Sequence, residues 1–161
     1  MNNAIYHSKL IFGLNDRLYI NSLAGVTDEL AAQRLSNHNN PLIWLITHTV
    51  WARYNAAQLL GKSGNNPYNG MFENFKPFDL SMKFQKIEQV KEEWKKATVL
   101  LKEGLESVSE QHLAADAPFK NPTGDSTIGG TIAFLAQHES YDIGQMALLK
   151  KYLTKEAMSY N

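Results

Sequence analysis

The sequence predicts an all-α protein, a bundle of four long helices. Four segments carry apolar residues in steps of three and four, the spacing that forms one face of an amphipathic helix. No stretch alternates apolar and polar residues for long enough to indicate a strand, and two long connections rich in Gly, Asn and Pro separate the segments. We therefore expect a single helical domain over residues 1–161, a length sufficient for a substantial core.

The first predicted helix covers about residues 4 to 23, and Gly25 follows its end as a typical C-terminal stop. Its apolar side is expected to carry Leu10, Ile11, Leu14, Leu18 and Leu23. Thr27 then precedes two acidic residues, a pattern that indicates an N-cap and a short helix or turn to about Leu35.

The second predicted helix begins at Pro41, because a proline suits the first turn of a helix, and it ends at Gly61. Its apolar side consists of Leu42, Leu45, Thr49, Ala52, Ala56 and Leu59. His48 lies three residues after Leu45 and four before Ala52, so we expect it to lean toward that side.

The third predicted helix follows a long loop, residues 62–78, and runs from an N-cap at Asp79 or Ser81 to about Val108. Its inward side is expected to carry Phe84, Ile87, Trp94, Leu101, Leu105 and Val108. A loop of this length in a compact domain often borders a functional opening.

The fourth predicted helix follows a second loop, residues 111–125, and extends from Ser126 or Thr127 to about Leu153. In the middle of its apolar face the pattern becomes polar, at His138, Glu139, Asp142 and Gln145. Each buried polar group without a partner costs roughly 1–3 kcal/mol, and a charge costs more. These side chains must therefore meet a cation, a hydrogen-bonded network or a water-filled cleft.

Composition excludes several classes of function. Lys plus Arg equals Asp plus Glu, at 16 each, so no overall field attracts nucleic acid or an anionic membrane. The chain has no Cys, which excludes disulfides, thiolate nucleophiles and thiolate metal ligands. Without a recognisable signal peptide or a long apolar span, we expect a cytoplasmic protein.

A divalent metal site is the sharpest hypothesis for the polar face. His138 and Asp142 have the i, i+4 spacing of ligands on one helix, and His48 offers a third ligand from another helix. Two imidazoles and one carboxylate suit zinc, iron, nickel, manganese or a similar ion. The alternatives are a buried core histidine at position 48 and a metal-free ion pair that includes Asp142.

Three further residues are candidates for the pocket or for supporting contacts. Trp44 lies one turn before His48 and either forms a pocket wall or belongs to the core. Glu139 either orients an imidazole, acts as a general base or makes a contact between helices. Gln145 either faces the pocket or follows a glycine that permits close helix packing.

Residues 40–48 (NPLIWLITH) and 134–145 (FLAQHESYDIGQ) resemble the DinB-like superfamily of four-helix proteins. The resemblance covers nearly the whole chain and includes the Thr-Asp-Glu-Leu turn after the first helix. It implies an up-down-down-up helix order and a divalent metal held by one His of the second helix and two of the fourth. His48 and His138 match the first two ligands, whereas Asp142 stands where the family usually has His.

The resemblance also implies a class of activity. Characterised relatives include thiol-dependent transferases and isomerases that act on small molecules with low-molecular-weight thiols, and homodimers are frequent among them. We therefore expect a metal-dependent protein with a small-molecule substrate, no nucleic acid or membrane partner, and a homodimeric state. The alternative is a non-catalytic binding module or dimeric structural protein with a degraded metal site.

Overall fold

The computed structural model describes residues 5–161, and the regular structure of this part is helical. Its helices are α1 (Tyr6–Ser22), α2 (Asp28–Ala31), α3 (Leu42–Leu59), α4 (Ile87–Ser107), α5 (Glu110–Leu113) and α6 (Ile128–Thr154). The described residues contain no strand, only an isolated bridge between Asp116 and Thr127. The prediction of an all-α protein is thus confirmed. None of these helices is long and apolar enough to cross a membrane.

The four long helices pack so that α3 contacts both α4 and α6, while α1 lies along α6. Their inward side chains form two apolar clusters. One cluster is centred on Tyr19, Ile46, Trp94 and Met146. The other is centred on Phe12, Leu101, Ile132 and Leu135. The up-down-down-up order of helix directions stays a prediction.

The helices that later carry the candidate site begin where the sequence predicts. Pro41 is the N-cap of α3, and its extended backbone (φ −65°, ψ 156°) leads directly into the helix. Thr127 is the N-cap of α6, and its hydroxyl oxygen accepts a hydrogen bond from Gly130 N at 3.0 Å. Thr27 caps α2 in the same way, since its hydroxyl accepts from Leu30 N.

The buried side of α1 differs from the prediction. Leu10 and Leu14 are 54% and 43% exposed, and Ile11 also faces solvent. The buried positions are Ser8, Phe12, Asn15, Leu18, Tyr19 and Ser22. Polar residues can occupy this side because they find partners: the Asn15 amide nitrogen donates to Ser140 Oγ at 3.0 Å. The first residue of the predicted helix, position 4, lies outside the described residues.

The start of α4 also corrects the prediction, because the helix begins at Ile87 and not near Asp79 or Ser81. The Asp79 carboxylate accepts a hydrogen bond from Ser81 N at 2.6 Å and stabilises a local turn instead. Asp28 of α2 supplies the missing cap, since its carboxylate accepts from Ile87 N at 2.9 Å. The segment between α3 and α4 is otherwise irregular, with a short 3-10 turn at Glu73–Phe75.

A one-turn helix, α5, stands just before and within the second predicted loop. Ser109 caps it, and its hydroxyl accepts from His112 N at 3.1 Å. The remainder of the connection to α6 is irregular, as predicted.

Candidate metal centre

Helices α3 and α6 bring His48, His138 and Asp142 together. His138 and Asp142 lie one turn apart on α6, and His48 faces them from α3. One ligand atom from each of the three residues lies within 4.8 Å of the other two. A shared ion about 2.0–2.2 Å from each donor requires donors within about 4.4 Å of one another, which is close to the spacing in this group. We call these three residues the histidine cluster.

Hydrogen bonding within the histidine cluster is uneven. His48 Nδ1 lies 2.9 Å from Asp142 Oδ2, a good hydrogen bond, and both side chains are largely shielded from solvent. His138 Nε2 is 4.0 Å from the same oxygen, beyond hydrogen-bond range. His138 Nδ1 is buried and finds no hydrogen-bond partner among residues 5–161. Neither nitrogen of the His138 imidazole thus has a hydrogen bond from residues 5–161.

The electrostatics of the cluster favour a neutral His138. Burial lowers the pKa of the His138 imidazole, and the nearby His48 lowers it further, while the Asp142 carboxylate raises it. The net shift is downward from 6.5. A neutral imidazole is the form that ligates a metal, so this environment presents His138 as a donor and not as a cation.

Aromatic rings surround the two imidazoles. Trp44 stacks on His48 with ring centroids 4.7 Å apart and planes 12° from parallel. Phe72, from the irregular segment before α4, meets the same imidazole edge-on at 5.2 Å and is only 3% exposed. Trp51 lies 5.5 Å from His48, and Phe134 lies 5.7 Å from His138. These rings shield the cluster from water on several sides, which strengthens electrostatic interactions inside it.

Of the three roles considered for Glu139, the structure favours the contact between helices. Both of its carboxylate oxygens accept hydrogen bonds from Arg53, from Nε at 2.8 Å and from Nη2 at 2.7 Å. Burial raises the pKa of the Glu139 carboxyl, and the adjacent guanidinium opposes that shift. Glu139 thus belongs to a contact between helices, which was one of the alternatives for it.

Arg53 is the buried residue that the sequence analysis missed. It stands on α3 among apolar residues, is 1% exposed, and also donates to Thr98 Oγ1 at 2.7 Å and to the Phe12 carbonyl at 3.2 Å. Asp16 Oδ1 lies 3.6 Å from its Nη1. We call Arg53, Glu139, Thr98, Asp16 and the Phe12 carbonyl the arginine network. The only available sequence signal was a charge five residues after His48 on a face that is otherwise apolar.

The other polar residues considered differ in their exposure. Gln145 is half-buried on α6 and forms no hydrogen bond to the cluster within the described part of the chain. His7 and His38 are exposed. His112 is half-buried, and its Nε2 lies 2.7 Å from the Leu59 carbonyl oxygen.

Comparisons with known proteins agree with this architecture. The family model of the DinB superfamily matches residues 15–146. Among solved structures, the crystal structure of a conserved protein from Enterococcus faecalis is similar, with a TM-score of 0.69 and 16% sequence identity. That similarity covers 94% of this chain and 98% of the other, and at this identity it shows a shared fold alone. A comparison with curated proteins gave no match. Because the family model covers most of the chain, from just past the middle of α1 to the last third of α6, the protein belongs to the DinB superfamily.

Proposed function

We propose that His48, His138 and Asp142 hold one divalent metal ion. Two observations support this assignment: the three donors converge from two helices, and the half-buried His138 has a buried Nδ1 without a hydrogen-bond partner among the described residues. An ion bound by a nitrogen of each imidazole and an oxygen of the carboxylate would give His138 a partner, while His48 and Asp142 already share a hydrogen bond. Zinc, nickel, iron and manganese all accept this donor set.

We further propose a thiol-dependent transferase or isomerase activity on a small molecule. A metal ion at the site supplies Lewis acidity, which lowers the pKa of an incoming thiol or water so that it is a nucleophile at neutral pH. The chain itself contains no Cys, so the thiol must enter with the substrate as a low-molecular-weight compound. We propose a cytoplasmic location for the same reason, because reducing conditions keep such thiols available.

The side chains around the ion have separate tasks in this scheme. Asp142 lies 2.9 Å from the His48 ring, and its carboxylate would offset part of the positive charge of the ion. Trp44 and Phe72 close two sides of His48 and exclude water from the reacting groups. His138 is 27% exposed at its side chain, more than His48 or Asp142, so substrate approaches from the His138 side.

Metal analysis tests the proposal directly. We expect protein purified without chelator, or incubated with Zn²⁺, Ni²⁺ or Mn²⁺, to carry close to one equivalent of metal. His48→Ala, His138→Ala and Asp142→Ala should each weaken binding of the same ion strongly. His7→Ala is the matched control, since His7 is an exposed histidine away from the cluster. No bound ion in the wild-type protein after such incubation would reject the metal assignment.

The substitution Asp142→His examines which ion the site prefers. Imidazole ligands suit zinc and nickel, whereas carboxylate oxygen suits manganese and other hard ions. We therefore expect the variant to bind Zn²⁺ more tightly relative to Mn²⁺ than the wild-type protein does. Competition titrations with both ions measure this ratio, and an unchanged ratio would place Asp142 outside the coordination sphere.

A non-catalytic binding module is the second candidate function. It is favoured by the His48–Asp142 hydrogen bond of 2.9 Å, which satisfies two of the three residues without an ion. Under this alternative the cluster is a polar network and the aromatic rings bind a small molecule. Thermal unfolding with and without Zn²⁺, Ni²⁺ or Mn²⁺ separates the two, because an ion that binds only the folded state raises the melting temperature.

For a macromolecular partner we propose a second copy of the chain. The outer side of α1 carries exposed Leu10, Ile11 and Leu14, and α6, which packs along α1, exposes Tyr141 and Leu148. Such side chains are typical of a surface covered in a dimer. Light scattering should give a dimer mass for the wild-type protein and a monomer mass for Leu10→Lys/Leu14→Lys. A wild-type monomer at micromolar concentration would reject the dimer.

A further inference from the structure

The arginine network lies between the two apolar clusters, and all four long helices contribute to it. Arg53 comes from α3, Glu139 from α6, Thr98 from α4, and Asp16 and the Phe12 carbonyl from α1. Arg53 and Glu139 are each 1% exposed. The network is therefore a polar layer across the interior and not a surface ion pair.

The contacts of Arg53 fix its position from three directions. Its two hydrogen bonds to Glu139, at 2.7 and 2.8 Å, join the planar guanidinium to both oxygens of the carboxylate. Such a bidentate contact restricts both the distance and the relative orientation of the two groups. Its Nη1 donates to Thr98 on α4, and its guanidinium lies 3.6 Å over the Trp94 ring of the same helix. Because these contacts with α4 fix the guanidinium, a movement of α6 would break the hydrogen bonds between Arg53 and Glu139.

The same two helices carry the histidine cluster. Arg53 is five residues after His48 on α3, while Glu139 directly follows His138 and precedes Asp142 by three residues on α6. A shift of one residue along a helix moves a side chain by about 1.5 Å and rotates it by about 100°. Either change is enough to break the 2.9 Å contact between His48 and Asp142.

We propose that Arg53 is a positioning residue for the metal site: its forked contact with Glu139 fixes the register of α3 against α6 and thereby the spacing of His48 and Asp142. The proposal rests on the metal assignment made above. It also explains why a charged pair stands where two apolar residues could pack. A buried ion pair is weak evidence for stability, because apolar replacements of similar volume are often neutral or stabilising, whereas specifying a register is its best-attested role.

The test compares a paired apolar replacement with the wild-type protein. Arg53→Met/Glu139→Leu removes both charges together, so neither is left buried alone, and circular dichroism establishes that the variant is folded. We expect its dissociation constant for Co²⁺ to rise at least about tenfold, the scale on which groups that orient metal ligands act. We also expect the visible Co²⁺ absorption spectrum to change, because the coordination geometry changes.

Leu105→Ala is the matched control. Leu105 lies on α4 and is buried in the cluster around Leu101, so this variant loses stability while both charges of the Arg53–Glu139 pair stay in place. It should bind Co²⁺ with the wild-type constant and spectrum, which separates positioning from a general loss of stability. A second variant, Arg53→Lys, keeps the positive charge but cannot form the two parallel hydrogen bonds to Glu139. We expect its dissociation constant for Co²⁺ to lie between those of the wild-type protein and the double variant.

Two results distinguish failure of this inference from failure of the metal assignment. If the wild-type protein binds Co²⁺ and the double variant binds it with the same constant and spectrum, the positioning role is rejected while the metal site stands. If the wild-type protein binds neither Co²⁺ nor Zn²⁺, the metal assignment is rejected. Crystal structures of the metal-free proteins then decide the inference: a His48–Asp142 separation unchanged from 2.9 Å in the double variant would overturn it.

Discussion

The interior contains two clusters of polar side chains, built on the same pair of helices, and they differ in how well the protein itself satisfies them. In the arginine network, the Glu139 carboxylate accepts two hydrogen bonds and Arg53 also donates to α4 and α1. In the histidine cluster, His48 and Asp142 share one hydrogen bond. The third member, His138, has no hydrogen bond at either ring nitrogen within the described residues.

This difference separates a structural role from a functional one. Native proteins rarely bury polar groups that lack partners, and those that they do bury call for a separate explanation. The arginine network is complete without a ligand, so assembly of the fold accounts for it. The histidine cluster leaves His138 without a partner among the described residues, and the proposed cation would supply one.

The largest predicted effect comes from breaking the arginine network on one side only. Glu139→Ala leaves the buried Arg53 guanidinium without its carboxylate, and the loss of one partner of a buried pair costs about 3–5 kcal/mol. Urea unfolding followed by circular dichroism measures the free energy of unfolding. The paired variant Arg53→Met/Glu139→Leu should change it far less. A loss below about 1 kcal/mol for Glu139→Ala would mean that water reaches Arg53 and that the network is not buried.

A somewhat smaller change in the free energy of unfolding is expected when a metal ion binds to the histidine cluster. An ion that binds only the native state adds about 2.7 kcal/mol to the free energy of unfolding at a free concentration of 100 times its dissociation constant. We expect this gain with Zn²⁺ for the wild-type protein. Asp142→Ala should lose most of it at the same concentration. Equal gains in both proteins would show that the ion binds elsewhere.

Most of the fold follows from sequence periodicity and capping residues. Helices α3 and α6 begin directly after their N-caps, Pro41 and Thr127, whose local chemistry favours a helix start. The start of α4 was predicted wrongly because its N-cap residue is Lys86, and the carboxylate that accepts from Ile87 N, that of Asp28, lies 59 residues earlier in the chain. A cap supplied by tertiary contact leaves no signal in the neighbouring sequence.

The two polar clusters were not equally predictable. His138 and Asp142 stand one turn apart, so a pattern along one helix predicts that they meet. Arg53 and Glu139 are 86 residues apart, and no local pattern pairs them. On α1 the exposed Leu10 and Leu14 also follow a helical spacing, so periodicity alone could not identify the buried side. Partners on other helices made the polar side of α1 the buried one.

The stability of the protein should depend on pH through His138 of the histidine cluster. Because burial holds the native pKa of His138 below 6.5, the unfolded chain binds more protons than the native state between that lower value and 6.5. Stability of chelator-treated protein should therefore fall as pH drops below 6.5 and level off below the native pKa. Urea unfolding at a series of pH values measures this. His138→Gln should show a shallower decrease, and an identical decrease would assign it to other groups.

The smallest effect is expected at the surface of α4, where an ion pair exists without burial. Lys95 Nζ lies 2.7 Å from Glu92 Oε1, yet both side chains are more than 60% exposed. Water and salt screen such a pair, and holding two long side chains in one arrangement costs entropy. Lys95→Gln should therefore leave the urea midpoint unchanged within error. A clear decrease in the urea midpoint that disappears at high salt would mean that the charges on α4 act together. Burial would then no longer explain the difference in stability effect between this pair and Arg53–Glu139.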